Sequence, residues 1–161
     1  MFFRIFIFIW RALGRTLFWL GWPAFWLFLR NTRRTRVVVR SGSDVLVVRG
    51  WLSDGRWSLP GGGLHAGEVA ADGAARELFE ETGILAAPAV LKPLGEAWVH
   101  HRGLGYHCSY FTLRADAEGL KPHRQLEILD VAWMTVADLT PENATADVFM
   151  ALDRANPSAN S

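Results

Sequence analysis

The pattern of apolar and polar residues changes about one fifth of the way along the chain. Residues 1–29 contain 11 aromatic residues, and no charge stands between Arg15 and Arg30. As a helix, the 14 intervening residues would span about 21 Å, less than the roughly 30 Å of a bilayer's hydrocarbon core. The pattern therefore predicts an N-terminal hydrophobic helix, which spans a membrane only if residues 12–15 join it.

Several arrangements are compatible with this predicted helix. It can span a bilayer with Arg15 at the interface, or lie flat, because Arg4, Arg11 and Arg15 fall within about 40° of its surface. Packing on its own domain, a cleaved signal peptide and a translated upstream segment without a role are the alternatives. A signal peptide is disfavoured because no small-residue cleavage site follows. Gly21 and Pro23 are expected to kink the helix.

A basic stretch follows the hydrophobic segment at residues 30–36, with four arginines and no acid. By the positive-inside rule, this collar belongs on the cytoplasmic side of a membrane, facing anionic lipid. The sequence thus predicts two parts: residues 1–34 as a membrane-associated helix with a basic collar, and residues 35–161 as a cytoplasmic domain. The partner of the first part would be membrane lipid.

From Thr35 onward the chain alternates between strand-like and helix-like periods. Short β-branched or alternating runs predict strands, and the first two are joined by a turn at residues 41–44. Apolar residues at helical spacing predict a helix over residues 69–82, which Gly83 would cap. The pattern indicates an α/β or α+β domain with a mixed sheet. The predicted strands are residues 37–39, 45–48, 57–59, 97–99, 106–113 and 131–134, and a last helix is predicted at residues 147–154.

Charge is segregated between the two parts. Residues 1–43 carry eight arginines and no acid, whereas residues 44–161 hold the other 9 basic residues and all 16 acidic ones. The resulting charges of +8 and −7 make the domain a poor binder of duplex nucleic acid, which requires a basic face. The single cysteine, Cys108, excludes an internal disulfide bond and a multi-cysteine metal site. The oligomeric state is left open, a homodimer included.

Three glutamates, Glu77, Glu80 and Glu81, are spaced i, i+3 and i+4 on the predicted helix. Their carboxylates would therefore converge on one face, although like charges at this spacing repel. A solvated acidic face is the alternative, but Arg76 can pair with Glu80 and a glycine-rich turn precedes the helix. Clustered carboxylates favour a hard cation, Mg²⁺ or Mn²⁺.

The stretch from Gly62 to Ile84 resembles the signature of the Nudix hydrolases. That signature reads Gly, five residues, Glu, seven residues, Arg-Glu, an apolar residue, any residue, Glu-Glu, any residue, Gly and an apolar residue. The chain matches it throughout, and a chance match has a probability of about 10⁻⁷ per chain. The fixed positions are Gly62, Glu68, Arg76, Glu77, Glu80, Glu81 and Gly83.

This resemblance implies a fold and a reaction. The fold is a Nudix-type mixed sheet sandwiched between helices, and the reaction is metal-dependent hydrolysis of a nucleoside diphosphate derivative. Glu77, Glu80 and Glu81 would be catalytic and would hold Mg²⁺, or Mn²⁺, with the Gly62 carbonyl as a further ligand. Structural support of this site would come from Glu68, Arg76 and Gly83.

Other roles are less closely tied to the signature. The group that deprotonates the attacking water would be Glu80 or Glu127, the latter because a downstream carboxylate often serves the family. Trp57 and Arg102 are candidates for contacting the substrate, by base stacking and by phosphate binding. The substrate stays undetermined, because residues that mark particular branches of the family are missing around positions 98–102. The alternative function is a catalytically silent, membrane-anchored module that binds a nucleotide.

Overall fold

The computed structural model describes residues 2–29, 32–101, 104–116, 120 and 127–156. Within them the chain forms an N-terminal helix, a five-stranded sheet, two further helices and two short 3₁₀ turns. The elements are α1 (Phe2–Leu29), β1 (Arg33–Ser41), β2 (Asp44–Gly50), α2 (Ala70–Thr82), a 3₁₀ turn (Pro88–Val90), β3 (Lys92–His101), β4 (Leu104–Arg114), β5 (Ile128–Thr135), a 3₁₀ turn (Val136–Asp138) and α3 (Ala146–Ala155).

The sheet is mixed, with strand order β3-β4-β1-β2-β5. The pairs β3–β4, β1–β2 and β2–β5 are antiparallel, whereas β1 and β4 run parallel. Gly42, with φ of 58°, provides the left-handed turn between β1 and β2. The predicted mixed sheet with helices is confirmed.

Alternation along β1 divides the core into two layers. Val37 and Val39 face α2 and pack in one cluster with Leu78. Val38 faces the opposite way and packs in a second cluster with Val148 of α3. Because successive strand residues point to opposite faces, one strand of valines serves both layers. The sheet is thus enclosed by α2 on one face and α3 on the other.

Most predicted elements have their expected type, with strands that extend beyond the predicted runs. The run at residues 57–59 is the exception, because it forms only isolated bridges, Val48–Ser58 and Trp57–Ala144. Pro60 follows it directly and has no N–H with which to continue a ladder. Gly83 ends α2 in the left-handed conformation, with φ of 79°, and its N–H donates to the carbonyl of Phe79. The predicted C-cap is confirmed.

The helix α1 packs against the domain. Trp10 stacks on Trp51 with ring centroids 4.7 Å apart, and the indole N–H of Trp51 donates to the Trp10 carbonyl at 2.8 Å. Arg11 forms an ion pair with Asp130 at 2.7 Å. Gly14 allows this approach, since a Cβ there would lie 2.5 Å from Trp51. Of the arrangements that the sequence left open, the structure shows the helix packed on its own domain.

The outer face of α1 carries a stripe of exposed apolar side chains, Ile9, Leu13, Leu17 and Leu20. At about 100° per residue they fall within roughly 80° of the helix surface. Among the described residues, no helix combines enough length with enough apolar character to cross a membrane. The transmembrane helix expected as one arrangement is therefore not found in that part of the chain.

The basic collar does not have the predicted form where the structure describes it. Strand β1 begins at Arg33, so Arg34 and Arg36 alternate with Thr35 as strand residues. The side chain of Arg36 points inward, is only 11% exposed and pairs with Asp147. The interpretation of Arg34 and Arg36 as a lipid-facing collar is wrong, because pairing with β4 places them in the sheet.

Candidate active site

The candidate site lies where β1 and β2 separate. The described pairing of these strands covers only Arg40–Val45 and Ser41–Asp44, next to their turn. Farther along β1, the N–H groups of Thr35 and Val37 donate to carbonyls of Gly62 and Pro60, at 2.9 Å each. Residues 60–63, here called the glycine loop, are thereby fixed against the sheet in place of a strand.

Two glycines of this loop stand where a side chain has no room. Gly61 has φ of 137°, and a Cβ there would lie 2.2 Å from the Thr35 carbonyl oxygen. A Cβ on Gly62 would lie 2.6–2.8 Å from the carboxyl atoms of Glu77. The N–H of Gly61 donates to Oε2 of Glu81 at 2.8 Å. The loop backbone therefore contacts an α2 carboxylate directly at Gly61, which the sequence did not predict, and Glu77 occupies the space left free at Gly62.

Arg76, in the middle of α2, joins three glutamates. Its guanidinium contacts Glu68 at 2.8 Å, Glu77 at 2.6 Å and Glu80 at 3.3 Å. A further N–H donates to the carbonyl of Gly63 at 3.1 Å. The predicted contacts of Arg76 with Glu68 and Glu80 are confirmed, and through them the helix is tied to the loop.

The two ends of the carboxylate cluster have different proton affinities. Hydrogen bonds from Arg76 and from the His65 N–H lower the pKa of Glu68 to about 2. Burial raises the pKa of Glu81 to about 7, although the Gly61 N–H and Arg36 oppose the shift. In the chain by itself, Glu68 is therefore ionised at neutral pH, whereas Glu81 titrates near neutrality.

The donor set fits a hard divalent cation. Such ions take carboxylate and carbonyl oxygens, and the close approach of Glu77 to the side-chain-free Gly62 brings both kinds together. The Gly62 carbonyl accepts the Thr35 N–H and keeps a second lone pair.

The three glutamates do not converge fully as predicted. Arg76 lies between Glu77 and Glu80, and Glu81 turns toward Gly61. Across the described residues, no three acidic, imidazole or thiol side chains stand together as a metal cage. A cation at this site would have to displace the guanidinium from Glu77 and Glu80.

A buried ion pair behind the glycine loop was missed by the sequence reasoning. Arg36 contacts Asp147 of α3 at 3.0 Å and also donates to the carbonyl of Gly61. Burial favours the neutral form of Asp147, but Arg36 and a hydrogen bond from Thr145 hold the pKa of that carboxyl below its ordinary value. The available signal was the spacing of Arg34, Arg36 and Val38, which share one strand face.

The remaining candidates lie elsewhere. Glu127 is exposed just before β5, and its main-chain carbonyl accepts the Trp51 N–H at 2.7 Å. Trp57 packs beside the α3-side core, with the Arg49 guanidinium 4.0 Å from its ring centroid. Arg102 lies outside the described residues. The roles given to these three residues stay predictions.

Comparison with known proteins agrees with this geometry. The family model described as NUDIX domain matches residues 30–152. The protein designated MutT4 of Mycobacterium tuberculosis is 36% identical over 94 residues, which cover 56% of this chain and 37% of that protein. A MutT-like protein of Streptomyces ambofaciens is 48% identical over 48 residues, 30% of each chain. The chain thus spans about a third of the length of these curated relatives.

Among solved structures, the MutT NUDIX hydrolase of Burkholderia pseudomallei aligns with a TM-score of 0.68 at 18% identity. The alignment covers 78% of this chain and 98% of that one. The NUDIX domain of Shewanella oneidensis NrtR, solved as a complex with ADP ribose, aligns with a TM-score of 0.66 at 18% identity and covers 83% and 92%. At these identities the likeness establishes the fold.

Proposed function

Because this chain belongs to the Nudix hydrolase family, we propose that it is a divalent-metal-dependent pyrophosphohydrolase of a nucleoside diphosphate derivative. The family generally uses divalent metals such as Mg²⁺. One observation carries the proposal: the glycine loop touches Glu77 and Glu81, while Arg76 joins Glu77 to two further glutamates. A purely solvated acidic face would need neither the loop contacts nor the shared guanidinium.

Glu77, Glu80 and Glu81 would hold Mg²⁺ or Mn²⁺, with the Gly62 carbonyl as a further donor. When bound, the ion supplies positive charge that offsets the charge developing on the phosphoryl oxygens. Arg76, released from Glu77 and Glu80, would keep its paired contact with Glu68 and so hold the loop against α2.

Removal of a proton from the attacking water is assigned to Glu80. It is half-buried on the same helix as the other carboxylates, and a general base must lie within hydrogen-bond reach of its water. Glu127 is the alternative base, and its described main-chain contact ties it to the end of β2 and the beginning of β5. Comparing Glu80→Gln with Glu127→Gln separates the two.

The test uses the full chain in mild detergent with a panel of substrates. Release of phosphate or pyrophosphate is measured from nucleoside triphosphates, nucleotide sugars, dinucleoside polyphosphates and ADP-ribose, with Mg²⁺ and with a chelator. We expect turnover that needs the metal and falls about 100-fold or more in Glu81→Gln. Asp72→Asn, an exposed carboxylate on the same helix, is the matched control and keeps the parent's rate.

A silent panel would contradict the proposal and favour the alternative, a module that binds a nucleotide without cleaving it. The NUDIX domain of NrtR was solved with ADP ribose bound, which supports a nucleotide-type ligand for this fold in either case. Calorimetric titration with ADP-ribose then distinguishes a binding module from a protein with neither property.

We further propose that α1 attaches the protein to a membrane while lying in the plane of its surface. One face of the helix contacts the domain through Trp10 and Gly14, and the outer stripe from Ile9 to Leu20 is exposed. An interfacial helix buries such a stripe among the acyl chains. The cytoplasmic leaflet is the anionic one, which supports a cytoplasmic domain beside the basic N-terminal part.

Co-sedimentation with vesicles of anionic phospholipid tests the attachment. Leu20→Glu on the helix should release most of the protein, because Leu20, at 74%, is the most exposed side chain of the stripe. Leu85→Glu is the matched control, since Leu85 is also highly exposed, at 84%, but lies on the domain beyond α2. Equal binding of both variants and the parent would reject α1 as the attachment site.

A further inference from the structure

A cavity of about 210 Å³ lies between α1 and the sheet, on the side of α3. Phe18 and Trp22 of α1 form its roof, while Arg34, Arg36 and Tyr106 form its floor. Both roof residues precede residue 30, where the match to the family begins. The roof is therefore a feature of this chain's own N-terminal segment.

Hydrogen bonds connect the floor of the cavity to the candidate active site. Arg36, on the floor, donates to the carbonyl of Gly61. The N–H of the same Gly61 donates to Glu81. A ligand in the cavity would thus lie next to the glycine loop, with the α2 carboxylates on the loop's other side.

The floor carries two arginines that differ in their partners. Arg36 is neutralised by Asp147, but Nε of Arg34 is buried and has no hydrogen-bond partner within the described residues. Burial and the neighbouring Arg36 lower the pKa of Arg34. Because Nε of Arg34 is out of reach of a water molecule, what Arg34 contributes to the cavity is the positive charge of its guanidinium.

The roof offers aromatic surface. Phe18 and Trp22 have ring centroids 5.3 Å apart and are half-buried, and the exposed Trp19 contacts Phe18 edge to face at 5.5 Å between centroids. Aromatic side chains beside a cation suit a planar ring that bears acceptor atoms, such as a nucleobase. A cavity of this volume is smaller than a typical ligand pocket of roughly 300–1,000 Å³. It has room for one part of a nucleotide.

We propose that α1 completes the substrate cleft, with Trp22 and Phe18 of the roof stacking on the nucleobase and the positive charge of Arg34 on the floor attracting its acceptor atoms. The inference rests on the proposed function, because it assigns the ring-bearing end of that substrate. It makes α1 a determinant of substrate choice in addition to a point of attachment.

Binding to the full chain, measured by calorimetry in mild detergent, tests this role without any need for turnover. The probes are ADP, GDP, CDP and UDP, with inorganic pyrophosphate as the probe that has no base. We expect Trp22→Ala to weaken binding of at least one nucleoside diphosphate by about 5- to 100-fold, the usual worth of one stacked base. Pyrophosphate binding should not change.

Matched controls separate the roof from general effects on the helix. Leu20→Ala removes an exposed apolar side chain from the same helix and should change neither kind of binding. Trp22→Phe keeps a ring and should bind near the parent's affinity, whereas Trp22→Leu keeps only apolar volume and should resemble Trp22→Ala. Arg34→Met should weaken nucleotide binding about 3- to 10-fold, and Arg33→Met on the exposed neighbour should not.

Several results would overturn the inference. These are failure of all four nucleotides to bind the parent, parallel losses for pyrophosphate and nucleotides, or full binding by Trp22→Leu, which would indicate an apolar chain as the occupant. Failure of the proposed function looks different. In that case the nucleotides bind in the predicted way and none is hydrolysed.

Discussion

Two arginines stand on opposite sides of the glycine loop, and each holds carboxylates in a different way. Arg76 is 22% exposed and shares its guanidinium among Glu68, Glu77 and Glu80. Arg36 is half as exposed and has one carboxylate partner, Asp147, which is 5% exposed. The difference teaches that one arginine positions groups that must remain available to a ligand, whereas the other is part of the folded core.

The largest effect should follow from breaking the buried pair. Asp147→Ala leaves the Arg36 charge buried without its partner, so the free energy of unfolding in urea should fall by about 3–5 kcal/mol. Asp153→Ala, an exposed acid on the same helix, should change it by less than about 0.5 kcal/mol. Replacing the pair together, Arg36→Met with Asp147→Leu, should recover much of the loss. If Asp147→Ala and Asp153→Ala had equal free energies of unfolding, the Arg36–Asp147 pair would not be part of the core.

A smaller and different effect is expected at Arg76. Arg76→Ala should reduce Mg²⁺-dependent activity about 10- to 100-fold, because the glutamates lose the group that orients them. The free energy of unfolding should fall by less than about 1 kcal/mol, since the guanidinium is partly solvated. Arg114→Ala, on the exposed end of β4, serves as control. If Arg76→Ala instead lowered the free energy of unfolding as much as Asp147→Ala does, the contrast with Arg36 would be wrong.

The contribution of the Arg36–Asp147 pair to the free energy of unfolding should depend on pH. The pKa of Asp147 is lowered in the folded chain, so its carboxylate stabilises the fold above the unfolded pKa of about 3.9. This contribution is lost as the pH falls through the folded pKa. Asp147→Asn lacks it, and its free energy of unfolding should therefore decline less steeply than the parent's below pH 4. The difference amounts to about 1.4 kcal/mol for each unit of pKa shift. Parallel acid profiles would argue against an ionised Asp147.

The smallest effect is expected at the exposed extreme, the pair between Arg11 of α1 and Asp130, whose side chains are 42% and 29% exposed. Arg11→Ala should lower the free energy of unfolding by less than about 1 kcal/mol, and added salt should reduce the difference further. A loss near that of Asp147→Ala would show instead that docking of α1 depends on this ion pair more than on the Trp10–Trp51 stack.

Local features of the chain could be predicted from the sequence. The helix with Glu77, Glu80 and Glu81, its cap at Gly83 and the turn at residues 41–44 depend on residues close together in the chain. For that reason their patterns were sufficient, and the contact of Glu68 with Arg76 was found through the resemblance. The family and the mixed sheet are likewise confirmed.

Features that depend on distant partners were missed. The arginines at 34 and 36 resembled a basic collar because their neighbours in sequence are also basic, yet β4, some 70 residues later, pairs beside them and places them in the sheet. Docking of α1 depends on Trp51 and Asp130, neither of which is visible from the apolar pattern of the helix. The partners of a buried charge or an aromatic face must be known before its role can be assigned.

The separation of β1 from β2 also gives the molecule a reporter in its own backbone. The amide hydrogens of Thr35 and Val37 are protected by the glycine loop and not by a neighbouring strand. Their exchange with deuterium therefore follows the opening of the loop, while the amide of Val38, on the β4 side of the strand, follows unfolding of the sheet. Both rates are measured in the same sample, and their ratio reports how firmly the loop is closed. This ratio can then be compared between ligands and between pH values.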